Sequence, residues 1–317
     1  MEIQFLGTGA GIPSKFRNVS SLALRLHDEI NEVWLFDCGE ATQHQILHTT
    51  IRPKKIANIF ITHMHGDHIF GLPGLLSSRS FQGGETSLNI YGPPGIKEYI
   101  QSNLRLTKSR LTYPIHIDEL NPKGGELTTS SGWLVKYLPL QHGVLSLGYR
   151  IEQPDKPGEL LIDQLAKYSI PNGPIYGQLK RGETVTLADG TQLDGRDFIA
   201  PNQKGKIITI LGDTRLCDNS RILAKDSDVL VHEATHSGEE GQMAYAYYHS
   251  TNLHAAQVAK EANVKLLLLN HISPRYTNQD IREILAETRK VFQETYIAAD
   301  LKEFDIPMAS GLAGDSM

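Results

Sequence analysis

The densest chemistry in the chain lies in N-I-F-I-T-H-M-H-G-D-H, residues 58–68. His63, His65, Asp67 and His68 form an H-x-H-x-D-H pattern. The apolar, β-branched run from Ile56 to Thr62 suits a buried strand, and Gly66 permits a sharp turn after it. In extended chain, side chains two residues apart share a side, so His63 and His65 can share one metal. Beyond the turn, Asp67 and His68 face elsewhere and can serve a second metal about 3.5–4 Å away. Imidazole and carboxylate donors suit Zn²⁺ best, with Mn, Fe or Co as other occupants. The competing reading is a His-rich surface turn. The strand-to-turn context is what a metal motif requires, and it favours the metal.

Two metals need more donors, and three strand ends offer them. Trp133–Leu140 reads as a strand running into Q-H-G, where His142 can be the third ligand of the first metal. Ile207–Leu211 runs into G-D-T-R, where the Asp213 carboxylate can bridge the pair. Lys265–Leu269 runs into N-H-I-S-P-R-Y, where His271 completes the second metal's set with Asp67 and His68. His44 and His48 stand at i, i+4 on a helical stretch but lack a surrounding motif, and are read as packing or solvent-facing.

The elements that must position these residues are legible as alternating or continuous apolar runs. Residues 2–6 and 20–26 read as strands, as do Val33–Phe36, which ends at Asp37, and Asp228–His232. Helical patterns cover 41–50, 72–80, 96–106, 240–248 and 253–263, with Ser250 or Thr251 capping the last. Between the first two strands lies G-T-G-A-G-I-P-S-K-F-R-N, residues 7–18. It is either a solvated loop or a phosphate-facing one whose glycines bring backbone N–H groups close to an anion. Residues 150–205 differ: Pro and Gly punctuate them, and 164–182 holds Lys167, Lys180 and Arg181 with no acid. They read as a decorative insertion or as a protruding arm that grips an anionic polymer.

Bulk properties set limits. With 40% hydrophobic and 21% charged residues in 317, the composition is that of a globular protein. A net charge of −5 excludes coating of nucleic acid by bulk charge, but leaves room for a basic patch. No run approaches eighteen apolar residues, so no membrane span is expected, and the strand-like N-terminus does not read as a signal peptide. Cys38 and Cys217 read as reduced thiols, which fits a cytoplasmic setting.

The metal motif resembles that of the metallo-β-lactamase superfamily. The resemblance implies an α/β fold, an αββα sandwich of two facing mixed sheets with helices outside and the metal site at one rim. It also implies that Asp37 orients the metal-binding turn by hydrogen bonds. Further stretches narrow the resemblance to the short, single-domain form of the ribonuclease Z family: F-L-G-T-G-A (5–10), P-x-K-x-R-N (13–18), L-F-D-C-G-E-A-T-Q (35–43), H-E-A-T (232–235), H-S-T (249–251) and H-I-S-x-R-Y (271–276). The organisation it implies is a catalytic domain of residues 1–149 and 206–307, a flexible tRNA-binding arm of residues 150–205 inserted in it, and a frayed tail of 308–317.

That family resemblance implies a zinc-dependent endoribonuclease that cuts precursor tRNA after the discriminator nucleotide. The products are a tRNA with a free 3′-hydroxyl and a trailer with a 5′-phosphate. Two Zn²⁺ ions per subunit are expected, with Mn²⁺ or Co²⁺ as substitutes, and no nucleotide cofactor. A homodimer is expected in which one subunit's arm clamps tRNA for the other's site. Asp67 is expected to take the attacking water's proton, and His249, oriented by Glu233, to protonate the leaving 3′-oxygen. Ser273 and Arg275 are expected to hold phosphate near the cut. Lys15, Arg17 and Asn18 are expected at the acceptor end, and Gly173, Pro174, Lys180 and Arg181 on the arm. Another hydrolase of the same superfamily (a phosphodiesterase, thioesterase or lactonase) would share the ligands without needing the arm or the P-x-K-x-R-N loop. A di-iron redox enzyme would carry Glu where His65 stands, and a bare RNA-binding module would not need a complete ligand set.

Overall fold

A computed structural model describes residues 1–168, 170 and 173–306. The expected tail, 308–317, lies outside the described residues. The chain divides into two compact units, one of Met1–Ile151 with the segment from Ile207 onward, the other Glu152–Lys206.

The strands of the first unit are β1 (Glu2–Gly7), β2 (Ser21–Leu26), β3 (Glu32–Phe36), β4 (Ile56–Phe60), β5 (Leu88–Gly92), β6 (Ile115–Glu119), β7 (Gly125–Thr128), β8 (Leu134–Leu140) and β9 (Ser146–Glu152). After β10 (Thr184–Thr186) and β11 (Gln192–Asp194), which belong to the second unit, it resumes with β12 (Ile207–Leu211), β13 (Val229–Glu233), β14 (Leu266–Asn270), β15 (Thr295–Ile297) and β16 (Glu303–Asp305). They form two seven-stranded sheets, ordered β16-β1-β2-β3-β4-β5-β6 and β15-β14-β13-β12-β9-β8-β7. Both are mixed: β1–β2–β3 and β7–β8 pair antiparallel, whereas β3–β4–β5–β6 and β12–β13–β14–β15 pair parallel.

Alternation along each strand decides which layer a side chain joins. Trp34 and Phe36 point between the sheets, where Phe60, Trp133, Tyr149, Ile208 and Val231 meet them. Val33 and Leu35 point outward, against Leu72, Leu75 and Leu76 of helix Leu72–Phe81 and Ile96 and Ile100 of helix Ile96–Leu106. On the other sheet, Leu230, Leu267 and Leu269 face outward against Ala255, Ala256 and Ala259 of helix Asn252–Glu261 and Ile284 of helix Asn278–Val291. Both faces of each sheet are thus covered, which is why the parallel strands read as continuous apolar runs. The order is helix, sheet, sheet, helix, the αββα sandwich expected from the resemblance.

The second unit has its own small core of Leu165, Leu179, Val185, Leu193 and Phe198. Helix Pro174–Lys180 packs on the β10–β11 hairpin, and helix Ile162–Leu165 on the short helical turn Gly195–Phe198. From the sequence only Leu160–Tyr168 reads as a short helix, and helical turns Ile162–Leu165 and Ala166–Tyr168 lie within it; the other elements are only three to seven residues long and carry no legible period.

Candidate metal centre

Parallel strands put their C-terminal ends at one rim, where ligands gather in such sheets. Asp37 follows β3, the 63–68 turn follows β4, Asp213 follows β12, Glu233 ends β13 and His271 follows β14. Two of these residues sit at left-handed backbone, Asp37 at φ 58° and His271 at φ 54°. Such strain in non-glycine residues persists where surrounding structure enforces it. Gly39 lets the D-C-G-E loop press against the turn, since a Cβ there would lie 2.3 Å from the Asp67 carbonyl oxygen.

The seven expected donors converge. His63 Nε2 lies 3.1 Å from His65 Nδ1, and His142 Nε2 lies 3.2 Å from the same atom. On the other side, His271 Nε2 and His68 Nε2 each lie 3.4 Å from Asp67 Oδ2. Asp213 Oδ2 stands among both groups, 3.7 Å from His63 Nε2, 3.5 Å from His68 Nε2 and 3.2 Å from His271 Nε2. Within each of the triads His63–His65–His142, His63–His68–Asp213 and Asp67–His68–His271, the donor atoms all lie within 4.8 Å of one another.

The imidazole partners fix the tautomers. Asp37 Oδ2 takes the His68 Nδ1 proton at 2.7 Å. The Thr62 hydroxyl donates to the same Oδ2 at 2.8 Å and so accepts from His63 Nδ1 at 2.9 Å. The Thr235 hydroxyl donates to Glu233 Oε2 at 2.6 Å and accepts from His271 Nδ1 at 2.8 Å. His142 Nδ1 donates to the Tyr248 carbonyl at 2.9 Å. Each of the four rings therefore turns its Nε2 into the centre. Ring nitrogens crowded to within 3.1–3.2 Å of one another, around a buried Asp213 carboxylate, form a cage for positive charge, whether proton or metal ion. His68 Nε2 is itself buried without a hydrogen-bond partner. The residues fit metal ions on this ground.

Electrostatics show a demand for positive charge: burial disfavours the His68 cation, yet the Asp213 and Asp37 carboxylates raise its imidazole well above the ordinary value. Burial opposes ionisation of Asp67, yet the His271 and His68 imidazoles beside its Oδ2 hold its carboxyl far below the usual range. Asp213 is likewise held low against burial, by the charges of His271 and His68. Burial, then the charge of His68, pushes the His63 imidazole down, which keeps it neutral as a ligand must be. His249 goes the other way. Burial disfavours its charge, but Glu233 Oε1 at 3.0 Å from Nδ1 overrules it and raises the imidazole to about 9.

Other expected site residues are placed differently from one another. Lys15 is exposed on the glycine-rich loop. Arg17 instead turns inward, donating to Thr8 Oγ1 at 2.7 Å and the Ala298 carbonyl at 2.6 Å. Asn18 donates from its backbone to Asp300 and from its side chain to the Glu40 carbonyl. Arg17 and Asn18 thus brace the loop, which lays the Gly11 N–H on Asp67 Oδ2 at 2.9 Å. Arg275 does not present a free fork: its Nη2 is 2.5 Å from Glu240 Oε2 and 3.0 Å from His236 Nδ1. In the second unit, Gly173 and Pro174 are exposed at the start of helix Pro174–Lys180, Lys180 is exposed at its end, and Arg181 pairs with Glu183. His44 and His48 pack on each other, with ring centroids 5.1 Å apart.

A cleft of about 310 Å³ opens onto Asp67, Asp213, His249 and His271 and includes Ser273, His236 and Tyr247. Thr62, Thr235, His236 and the Tyr248 carbonyl were not singled out from the sequence. Only the threonines carried a readable signal, a hydroxyl beside His63 and one in H-E-A-T.

Comparison with known proteins places this architecture. A family profile described as Anti-Pycsar protein Apyc1 matches residues 1–114. The structure is similar to the metallo-beta-lactamase fold protein YhfI from Bacillus subtilis, with a TM-score of 0.66 and 19% identity over 96% of this chain and 98% of that one. The two facing sheets with His and Asp donors at their rim are those of a metal-dependent enzyme of the metallo-β-lactamase fold. Human tRNase Z, short form, superposes with a TM-score of 0.70 at 28% identity, covering 97% of this chain and all of that one. Ribonuclease Z of Limosilactobacillus fermentum is 57% identical over 307 residues, 97% of this chain and 99% of that one. The chain belongs to the ribonuclease Z family.

Proposed function

We propose that this chain is the endonuclease that removes the 3′ trailer from precursor tRNA, leaving a 3′-hydroxyl on the tRNA and a 5′-phosphate on the trailer. The observation that carries the chemistry is the position of Asp213 Oδ2, within 3.7 Å of imidazoles from both triads. A carboxylate placed in this way would serve ions held by either triad.

His63, His65 and His142 would hold one Zn²⁺, Asp67, His68 and His271 the other, and Asp213 both. When bound, the metals supply Lewis acidity toward the phosphate oxygens and lower the pKa of the attacking water toward 7. Asp67, fixed by the Gly11 N–H, would accept that water's proton. His249, kept protonated by Glu233, donates to the leaving 3′-oxygen. Lys15 and Ser273 contact phosphates, whereas Arg17 and Asn18 hold the loop that carries Lys15. The 150–205 segment as a tRNA-gripping arm, the homodimer and the cytoplasmic setting belong to the same proposal and rest on the family resemblance. No helix among the described residues is long and apolar enough to cross a membrane.

The test is end-group chemistry on a 3′-extended tRNA. The proposal expects a product that is a substrate for 3′-hydroxyl-dependent ligation and a trailer carrying a 5′-phosphate. A 3′-phosphate or cyclic phosphate on the tRNA overturns it.

A further inference from the structure

Three tyrosines follow one another closely beside the metal centre: Tyr245, Tyr247 and Tyr248. Two of them are held in place. The Arg215 guanidinium lies between their rings, 3.8 Å from the Tyr245 centroid and 3.7 Å from that of Tyr248. Arg215 also donates from Nε to the Tyr245 carbonyl at 2.6 Å and from its backbone to the Gln141 carbonyl at 2.8 Å. Tyr248 sits at left-handed backbone, φ 62°, and this turns its carbonyl onto His142 Nδ1. The segment is therefore clamped to a metal-ligand strand end at several points.

Tyr247, between them, is not used in this way. Its side chain is 67% exposed, and among the described residues its ring has no aromatic or cationic partner. It lines the 310 Å³ cleft together with His249, Asp67 and Asp213. That volume is at the small end of ligand-sized clefts, room for about one nucleotide. A wet aromatic face on a clamped segment beside a phosphodiester-cleaving centre is what a single-stranded base stacks on.

We propose that Tyr247 is a stacking subsite for the base of the discriminator nucleotide, an inference that rests on the function proposed above. The side of the cut is chosen by chain position. His249, two residues on, serves the leaving 3′-oxygen, and that oxygen belongs to the discriminator nucleotide. Tyr247 therefore orders the nucleotide whose 3′-oxygen departs, with little selectivity among bases, since every base offers a π face.

The experiment is a cycle of enzyme and substrate changes, read as kcat/KM on 3′-extended tRNA. Wild type and Tyr247→Ala are each tested on the normal substrate, on one abasic at the discriminator and on one abasic at the first trailer nucleotide. Tyr247→Phe serves as the conservative control. Expected is a fall of about 5- to 150-fold for Tyr247→Ala on the normal substrate, the effect of one lost base–aromatic stack. No further fall is expected on the discriminator-abasic substrate, and Tyr247→Phe should stay within about twofold of wild type. Equal activity of wild type and Tyr247→Ala, or an equal loss on normal and discriminator-abasic substrates, overturns the subsite. So does coupling to the trailer base instead. Wild-type enzyme that leaves the normal substrate uncut overturns the proposed function, and the subsite with it, and is distinguishable from the other failures.

Discussion

Glu233 Oε1 stands 3.0 Å from Nδ1 of His249, and the pair is the only feature of the site that raises an imidazole outside the ligand set among the described residues. Protonated below about 9, His249 loses its acid role as pH rises through that value. By linkage, the pair's contribution to stability is complete below the ordinary imidazole value of 6.5 and is lost as pH rises through about 9. Glu233→Gln removes the raising charge and keeps one acceptor oxygen, for the Thr214 N–H, while its amide nitrogen replaces the oxygen that accepts from Thr235. The alkaline limb of single-turnover cleavage should then move to lower pH. His249→Ala should lower the single-turnover rate by about 10²–10⁴-fold with tRNA affinity unchanged. Loss of affinity without loss of rate contradicts the acid assignment.

Asp37 touches neither the cleft nor, on the present assignment, a metal, yet it commits two ligands. It takes the His68 Nδ1 proton directly and controls His63 through Thr62. Asp37→Ala should weaken metal binding by about 10–100-fold, the usual cost of losing such a partner. Chelator competition followed by bound-metal analysis measures it. Thr62→Val, which spares His68, should show a smaller loss confined to one metal.

Asp67→Ala should abolish cleavage and reduce metal content, because the residue is assigned both as ligand and as proton acceptor. Retention of normal cleavage with full metal content contradicts the base assignment.

Trp34, fully buried between the sheets, packs on Trp133 and Phe60 with ring centroids 5.5 and 5.8 Å away. Trp34→Ala should cost about 3–5 kcal/mol in urea unfolding, the sum of lost transfer energy and a residual cavity. A change under about 1 kcal/mol would place the core elsewhere.

The legible part of this protein was the part written in side chains. The 63–68 turn showed because its ligands are contiguous. His142, Asp213 and His271 showed because each ends an apolar run, and the structure brings all three to that turn. The inward course of Arg17 did not show, because its partners are Thr8 and the carbonyl of Ala298, far away in sequence. Nor did the occupied fork of Arg275, since Glu240 lies on another segment. The role of Tyr248 rests on a backbone carbonyl and a left-handed φ, which any residue name conceals.

The central claim is that seven side chains from separate segments cage two cations required for cutting RNA. The direct measurement is cleavage of a 3′-extended tRNA by the same preparation as isolated, after chelation and dialysis, and after zinc is restored, with metal content determined at each stage. Expected are about two metal ions per chain in the active protein, loss of cleavage on their removal and recovery with zinc. A metal-free preparation that still trims tRNA tails contradicts it.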